Sequence, residues 1–394
     1  MRVNGRLRVS RISGERWMPK MPKTKEAVVN PLKEALKYGQ SLWYDGLIST
    51  NEFERMIRED GMRGATTNPT IFEKAILSGN TDEEIKRLAG TRDEEEIYKI
   101  LVVKAVQEVA DVFLPVFKET KGLDGFVSLE VSPLLAHDTA STIQEARELF
   151  GLAARENVMI KVPATSEGIP AIEALIAEGI NVNVTLIFSV ARYRQVMNAY
   201  ISGLERRNRE AKPVGGIASV ASFFVSRVDT AADLLIEAKI HSEMNLAKKE
   251  TLKNLLGKTA IANSKIAYDE FERMFSSERF QKLKSQGARP QRPLWASTGT
   301  KNPKYSDVLY VEALIGPDTV NTMPPATLDA FRDHGVAAPR LKEDFQAARQ
   351  TLETLGLSGI SLDEITQKLE KTGVQLFGDS YNKIIDEIRG VKRK

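Results

Sequence analysis

The sequence predicts an α/β fold with a parallel sheet, and three observations carry the prediction. From about Lys33 onward, short β-rich runs alternate with longer charged segments of helical period. Eight such runs occur, and polar or charged residues recur at the downstream ends of the first five. Alternating strand and helix patterns yield either a closed barrel or a doubly wound sheet with helices on both faces. The strand candidates are 41–44, 64–67, 125–131, 158–162, 181–188, 217–225, 294–297 and 308–315.

Helix signals fall where this scheme needs them. Between the second and third runs, Thr91 and Glu94 are spaced as a capping box. The acidic stretch 93–96 reads as a solvated helix start, where negative charge meets the positive end of the helix dipole. In the fifth run, Asn181, Asn183 and Thr185 share one face while Val182, Val184 and Leu186 share the other. Parallel strands between helix layers are normally apolar throughout, so a polar row facing inward marks a site. The same parity pairs Ser128 with Glu130, and Met159 with Lys161. Residues 230–288 are charged and helical in pattern, which places two or more helices between the sixth and seventh strands. The tail after Pro339 is also helical, notably 345–355 and 381–388, with Ser361 and Glu364 at capping-box spacing.

Composition excludes several function classes. The chain of 394 residues is 42% hydrophobic and 28% charged, enough for one large barrel or two mid-sized domains. No apolar run approaches the roughly 20 residues of a membrane span, and none follows the basic start as in a signal peptide. With no cysteine, disulfides, thiolate metal sites and thiol nucleophiles are excluded, and a cytoplasmic setting fits. The three histidines, His137, His241 and His334, are far apart and lack metal-site spacing; each reads as structural or surface. Residues 1–25 hold eight Lys or Arg against one Glu, so the net +3 of the chain becomes −4 over residues 26–394. The body therefore offers no charge argument for nucleic acid. Residues 1–29 read as a basic, disordered arm or an over-extended start, with Met18 or Met21 as alternative first residues; a polyanion-binding arm and a transit peptide are the other readings. No tandem repeat or Pro/Ser-rich linker divides 30–394, which reads as one domain.

The chemistry-bearing candidates sit at the strand ends. Lys161 stands in VMIKVP, enclosed by apolar neighbours. An ordinary lysine amine, titrating near 10.4, is neutral in about one molecule in 2,500 at pH 7. A nucleophilic lysine therefore needs desolvation or a neighbouring positive charge. Taken alone, this lysine could equally snorkel out of a strand end. Likewise Glu130 in VSLEVSP could be a salt-bridge partner, while Asp45 in WYDG and Asn68 in TTNP could be turn or cap residues. Yet Asp45, Asn68, Glu130, Lys161 and Thr185 close the first five runs in order. A parallel barrel gathers those ends around one mouth, where its enzymes place their catalytic groups. Further on, Arg227 follows SFFVS, and Ser297 to Lys301 read STGTK. Hydroxyls, a glycine and a cation there fit a phosphate pocket. Neither GxxxxGK[ST] nor GxGxxG occurs, so nucleotide binding lacks its usual support.

At these motifs the chain resembles transaldolase. YDGLIS, TTNPTIF, VSLEVSP, IKVPAT, NVNVTLIFS, SFFVSR and WASTGTKNP follow in the family's order, from about residue 30 to beyond 330. With TMPPATLDAF the likeness is to the bacterial and plant-type branch, sometimes fused to a glucose-6-phosphate isomerase; no such partner domain fits in this chain. The resemblance implies a (β/α)8 TIM barrel with extra helices between strands six and seven and at the C-terminus. Lys161 becomes the Schiff-base lysine and Asp45 the acid/base for the donor hydroxyl. Glu130 and Thr185 hold a proton-shuttling water. Asn68, Asn183 and Ser222 meet sugar hydroxyls, and Arg227 with Ser297 takes the phosphate. Lys301 stands where related chains offer a second arginine, a point charge in place of a fork. Phe224 stands where related free aldolases carry a tyrosine.

The implied reaction moves a dihydroxyacetone unit from sedoheptulose 7-phosphate to glyceraldehyde 3-phosphate, with no cofactor and no metal. Partners are then phosphorylated ketoses and aldoses, not nucleic acid or membrane; homo-oligomerisation stays open. Two other readings also stay open: a Schiff-base aldolase that releases free dihydroxyacetone, and a catalytically silent sugar-phosphate binder on the same barrel.

Overall fold

The computed structural model describes residues 30–393 together with Met1, so the basic arm lies outside the described residues. Eight parallel strands pair in sequence order and close on themselves: β1 (Gln40–Asp45), β2 (Gly64–Thr66), β3 (Phe126–Glu130), β4 (Val158–Pro163), β5 (Val182–Ile187), β6 (Ser219–Phe224), β7 (Arg292–Ala296) and β8 (Thr319–Met323). Alternation along each strand sends one set of side chains outward to the helices and the other inward. Ile160, Val162, Val182 and Val184 belong to the outward set and are fully buried. The alternate, inward positions carry the polar row: Glu130 lies opposite Lys161, and Lys161 opposite Asn183.

Seven of the eight strands fall on the expected runs, and the eighth does not. Residues 308–315 contain the helix Leu309–Ala313, and the strand that closes the barrel is Thr319–Met323. In VLYVEALI the apolar positions satisfy both a strand and a short helix, an ambiguity that periodicity alone does not resolve. Here the bond from Glu312 N–H to Val308 O takes the helical option. TVNTM lacks a continuous apolar run, because only Val320 and Met323 are apolar within it.

Other differences are smaller. The helix Glu94–Glu119 is capped by Asp93 rather than Thr91: Asp93 accepts from Glu96 N–H at 2.8 Å, and Glu96 accepts from Asp93 N–H at 3.2 Å. Both spacings read as capping boxes, but Thr91 is occupied by the end of the preceding helix, where its hydroxyl donates to Leu88 O. Ser361 caps as expected, accepting from Glu364 N–H. Four helices, Ser226–Ser242, Leu246–Lys253, Thr259–Phe275 and Glu278–Lys284, separate β6 from β7, and Phe345–Leu357 with Leu362–Lys392 form the tail. Three helices separate β2 from β3.

The period-two pattern of β5 holds only as far as Thr185. Leu186 has φ 58°, and the register against β6 shifts between Val184 and Ile187. A non-glycine residue in the left-handed region costs about 1–2 kcal/mol, and here it breaks the pleat just before Ile187, the last residue of the strand.

Candidate functional site

The C-terminal ends of the strands surround a cavity of ≈ 300 Å³. Its lining includes nine of the residues singled out by sequence: Asp45, Asn68, Lys161, Thr185, Ser222, Phe224, Arg227, Ser297 and Lys301. Glu130 and Asn183 are not part of that lining. Glu130 stands behind Lys161, its Oε2 3.1 Å from Nζ, with both side chains about 5% exposed. Asn183 lies beneath the floor, where its Nδ2 donates to Ser128 Oγ at 2.9 Å and its Oδ1 accepts from Ser222 Oγ at 2.7 Å. It therefore orients Ser222 from below.

Lys161 donates to the carbonyl of Thr67 at 3.1 Å, and its charged neighbour is a carboxylate rather than a cation. Of the two environments expected for a nucleophilic lysine, desolvation or a neighbouring positive charge, the structure shows a buried amine whose near neighbour is a carboxylate. Among the described residues, Glu130 Oε2 completes no aligned hydrogen bond and Thr185 Oγ1 has no partner. Buried polar atoms are nearly always satisfied, so two open ones beside a buried amine point to a place where a ligand or water works.

Asp45 ends β1 and accepts from Thr66 Oγ1 at 2.9 Å. Because the Thr66 proton is committed to Asp45, the 2.6 Å contact between Thr66 Oγ1 and Thr322 Oγ1 has Thr322 as donor. Burial pushes the Asp45 carboxyl above its ordinary range, against the pull of Lys161, the Thr66 hydroxyl, Lys301 and Arg227. Glu130 is raised chiefly by burial too, with Lys161 opposing and Asp45 reinforcing the shift. Two raised carboxyls flanking one lysine suit proton transfer. Asn68 does two things at once: its Oδ1 caps the helix Pro69–Leu77 by accepting from Ile71 N–H, and the residue still lines the cavity.

Across the cavity, the helix Ser226–Ser242 opens with Ser226 and Arg227. Burial lowers the pKa of the Arg227 guanidinium, and Asp45 offsets this. Its Cζ sits 5.3 Å from the centre of the Phe224 ring. Ser297 adopts φ 56° and meets Ser226 through Oγ at 3.0 Å, and its carbonyl accepts from Ser226 N–H. Lys301 is exposed at the rim, as is Lys74.

Sequence reading missed Thr66, Thr322, Lys74 and Phe377. Thr66 was within reach, because strand parity in TTNP places it one step below Asn68. Thr322 was hidden by the misplaced eighth strand, and nothing local marks Phe377. The three histidines are all exposed. Among the described residues no group of three or more His, Asp or Glu side chains is arranged as metal ligands would be.

Fold and site together define a (β/α)8 barrel with a buried lysine–carboxylate centre facing a cationic rim. The family Transaldolase/Fructose-6-phosphate aldolase matches residues 42–388, and the chain belongs to it. It is 44% identical over 376 residues to a transaldolase of Trichodesmium erythraeum (strain IMS101), covering 93% of this chain and 99% of that one. It is also 44% identical to a transaldolase of Thermobifida fusca (strain YX), over 91% of this chain and 97% of the relative. A relative named transaldolase 2, from Nostoc sp. (strain PCC 7120 / SAG 25.82 / UTEX 2576), is 44% identical over 92% and 97%.

Proposed function

We propose that this transaldolase-family enzyme transfers a dihydroxyacetone unit from sedoheptulose 7-phosphate to glyceraldehyde 3-phosphate, giving erythrose 4-phosphate and fructose 6-phosphate, through a Schiff base on Lys161. The observation that carries the reading is the buried Lys161–Glu130 contact at 3.1 Å, with Lys161 lining the same cavity as Asp45 and Arg227. Glu130 takes the ammonium proton, directly or through a water held with Thr185, and the freed amine adds to the ketose carbonyl. The carbinolamine leaves water and becomes a protonated imine, an electron sink. Asp45 then accepts the proton of the hydroxyl beside the bond that breaks. The electron pair of that bond flows into the iminium, the aldose departs, and an enamine stays on Lys161. Addition to the acceptor aldehyde reverses these steps.

Several features support the remaining assignments. Asn68 and Ser222 face the cavity where sugar hydroxyls would lie, and Asn183 acts through Ser222. Arg227, Ser297 and Lys301 form the phosphate end. Transfer, rather than release of free dihydroxyacetone, is supported by the Phe224 ring, since a phenyl group can neither donate to nor orient a water that would hydrolyse the enamine. We also propose that residues 30–394 act as a single catalytic barrel, in a cytoplasmic setting consistent with the absence of cysteine.

The test is borohydride reduction in the presence of fructose 6-phosphate, followed by peptide mass mapping. The label is expected on Lys161, and Lys161→Ala should lose both label and turnover while keeping its circular dichroism spectrum. A label on another lysine, or an active Lys161→Ala protein, would defeat the mechanism.

A further inference from the structure

The long tail helix Leu362–Lys392 does more than cover the barrel. One face of it, at positions 370, 373, 377, 380 and 381, meets elements at the mouth, as the i, i+3, i+7 spacing of a helix face allows. Glu370 pairs with Arg192 at 3.3 Å, just beyond β5. At Gly373 an added Cβ would come within 2.9 Å of Leu186 Cδ2, so the absence of a side chain lets the helix approach the strained end of β5. Ser380 meets Thr70 through Oγ at 3.0 Å, and Tyr381 packs edge-on against Tyr98 at 5.0 Å. Lys383 reaches Glu73 at 3.3 Å. The helix thus bridges from the end of β5 to the helices that follow β2, passing over the ends of β3 and β4. Midway along this bridge is Phe377, 4% exposed, lining the cavity with its ring centre 5.6 Å from Lys161 Nζ.

We infer that Phe377 is a working wall of the Lys161 chamber: its ring face steadies positive charge on the nitrogen, and its bulk keeps solvent from the enamine. This rests on the Schiff-base reading above. Positive charge is fixed on nitrogen when the carbinolamine leaves water and becomes the protonated imine. An aromatic face favours that state over the neutral one that precedes it. The enamine formed later is neutral and is lost if water delivers a proton and then hydrolyses the resulting imine. Phe224 guards it from the β6 side and Phe377 from the tail helix.

Two substitutions separate these effects. Phe377→Leu keeps apolar bulk and removes the π face; it should slow borohydride-trappable imine formation by about 2- to 30-fold with little change in the ratio of released dihydroxyacetone to transferred product. Phe377→Ala removes both and should, in addition, raise that ratio several-fold. Thermal melts accompany both variants. Wild-type trapping rate and ratio in both, with Lys161 labelled normally, would overturn the role of Phe377 alone. So would losses of label and turnover that merely track lost folded protein. A wild-type enzyme unlabelled at Lys161 would instead overturn the Schiff-base reading.

Discussion

Among the described residues, two ion pairs have both side chains more than nine-tenths buried, and they lie at opposite ends of the barrel. At the closed end, Arg292 reaches Asp124 Oδ1 at 2.9 Å, Ser41 Oγ at 2.8 Å and the Leu123 carbonyl at 2.6 Å. Asp124 Oδ2 accepts from Ser41 as well. At the mouth, Lys161 has Glu130 and one carbonyl, while Glu130 Oε2 has no aligned hydrogen bond and the neighbouring Thr185 Oγ1 has no partner among the described residues. Burying charge is repaid only when geometry is good and the remaining donors and acceptors are satisfied. The closed end meets that condition; the mouth leaves it unmet, and its unsaturated groups are those to which the proposed mechanism gives proton transfer.

Breaking the mouth pair should have the largest effect on rate. Glu130→Gln and Asp45→Asn are each expected to slow turnover by about 10²–10⁴, at different steps. The Asp45 variant should still be trapped by borohydride, because bond cleavage follows imine formation, whereas the Glu130 variant should form the imine slowly. If the Glu130 variant traps donor at the wild-type rate, its part in proton transfer is wrong.

Breaking the closed-end pair should do the opposite. Arg292→Ala strands a buried carboxylate and is expected to lower stability by about 3–5 kcal/mol, measured by urea unfolding. The protein that remains folded should trap donor at the normal rate. A trapping rate that falls while the fold is intact would show that the two ends are coupled.

The proposed phosphate end lies between these extremes. Arg227→Ala removes charge-assisted bonds worth about 1.5–3 kcal/mol each, so KM for phosphorylated sugars should rise by about 10- to 100-fold while KM for unphosphorylated analogues changes little. Lys301→Ala, at an exposed position, should show the same bias more weakly. Equal penalties for both substrate types would remove these residues from the phosphate end.

A last test, on stability rather than rate, sharpens the comparison with a buried carboxyl that has hydrogen bonds but no cation among the described residues. Asp229 accepts from Ala260 N–H at 2.7 Å and from Tyr310 Oη at 2.9 Å, and burial pushes its pKa up to about 7. Unfolded, it titrates near 3.9. Between about pH 4 and 7 the folded state holds a proton that the unfolded state has released. Its contribution to stability is therefore full below about pH 4, falls as pH rises to about 7, and is flat beyond. Asp229→Asn, which can accept from Ala260 N–H through Oδ1 and donate to Tyr310 Oη through Nδ2, should remove that slope. Parallel curves of melting temperature against pH for the two proteins would refute the assignment.

Legibility in the sequence followed the range of the interactions. Lys161 and Thr185 could be read because their own strands announce the inward face through alternation. Thr322 could not, since 308–315 satisfied two periods at once and drew the eighth strand away from Thr319–Met323. The position of Leu186 in β5 failed for a related reason: alternation assumes an unbroken pleat, and the left-handed turn there breaks it.

By itself the sequence determined the order of elements, the inward parity of the polar row and the motifs that tie the chain to its family, because each of these is written in residues close together along the chain. Only the tertiary structure decided that Glu130 stands behind Lys161 rather than in the cavity, that Asn183 acts from beneath Ser222, and that Phe377 reaches the amine from the far end of the chain. Those placements arise from barrel closure, from strand register and from the way a tail helix seats on Leu186 through Gly373. Such contacts depend on shapes brought together across long stretches of sequence, and no local period or spacing encodes them.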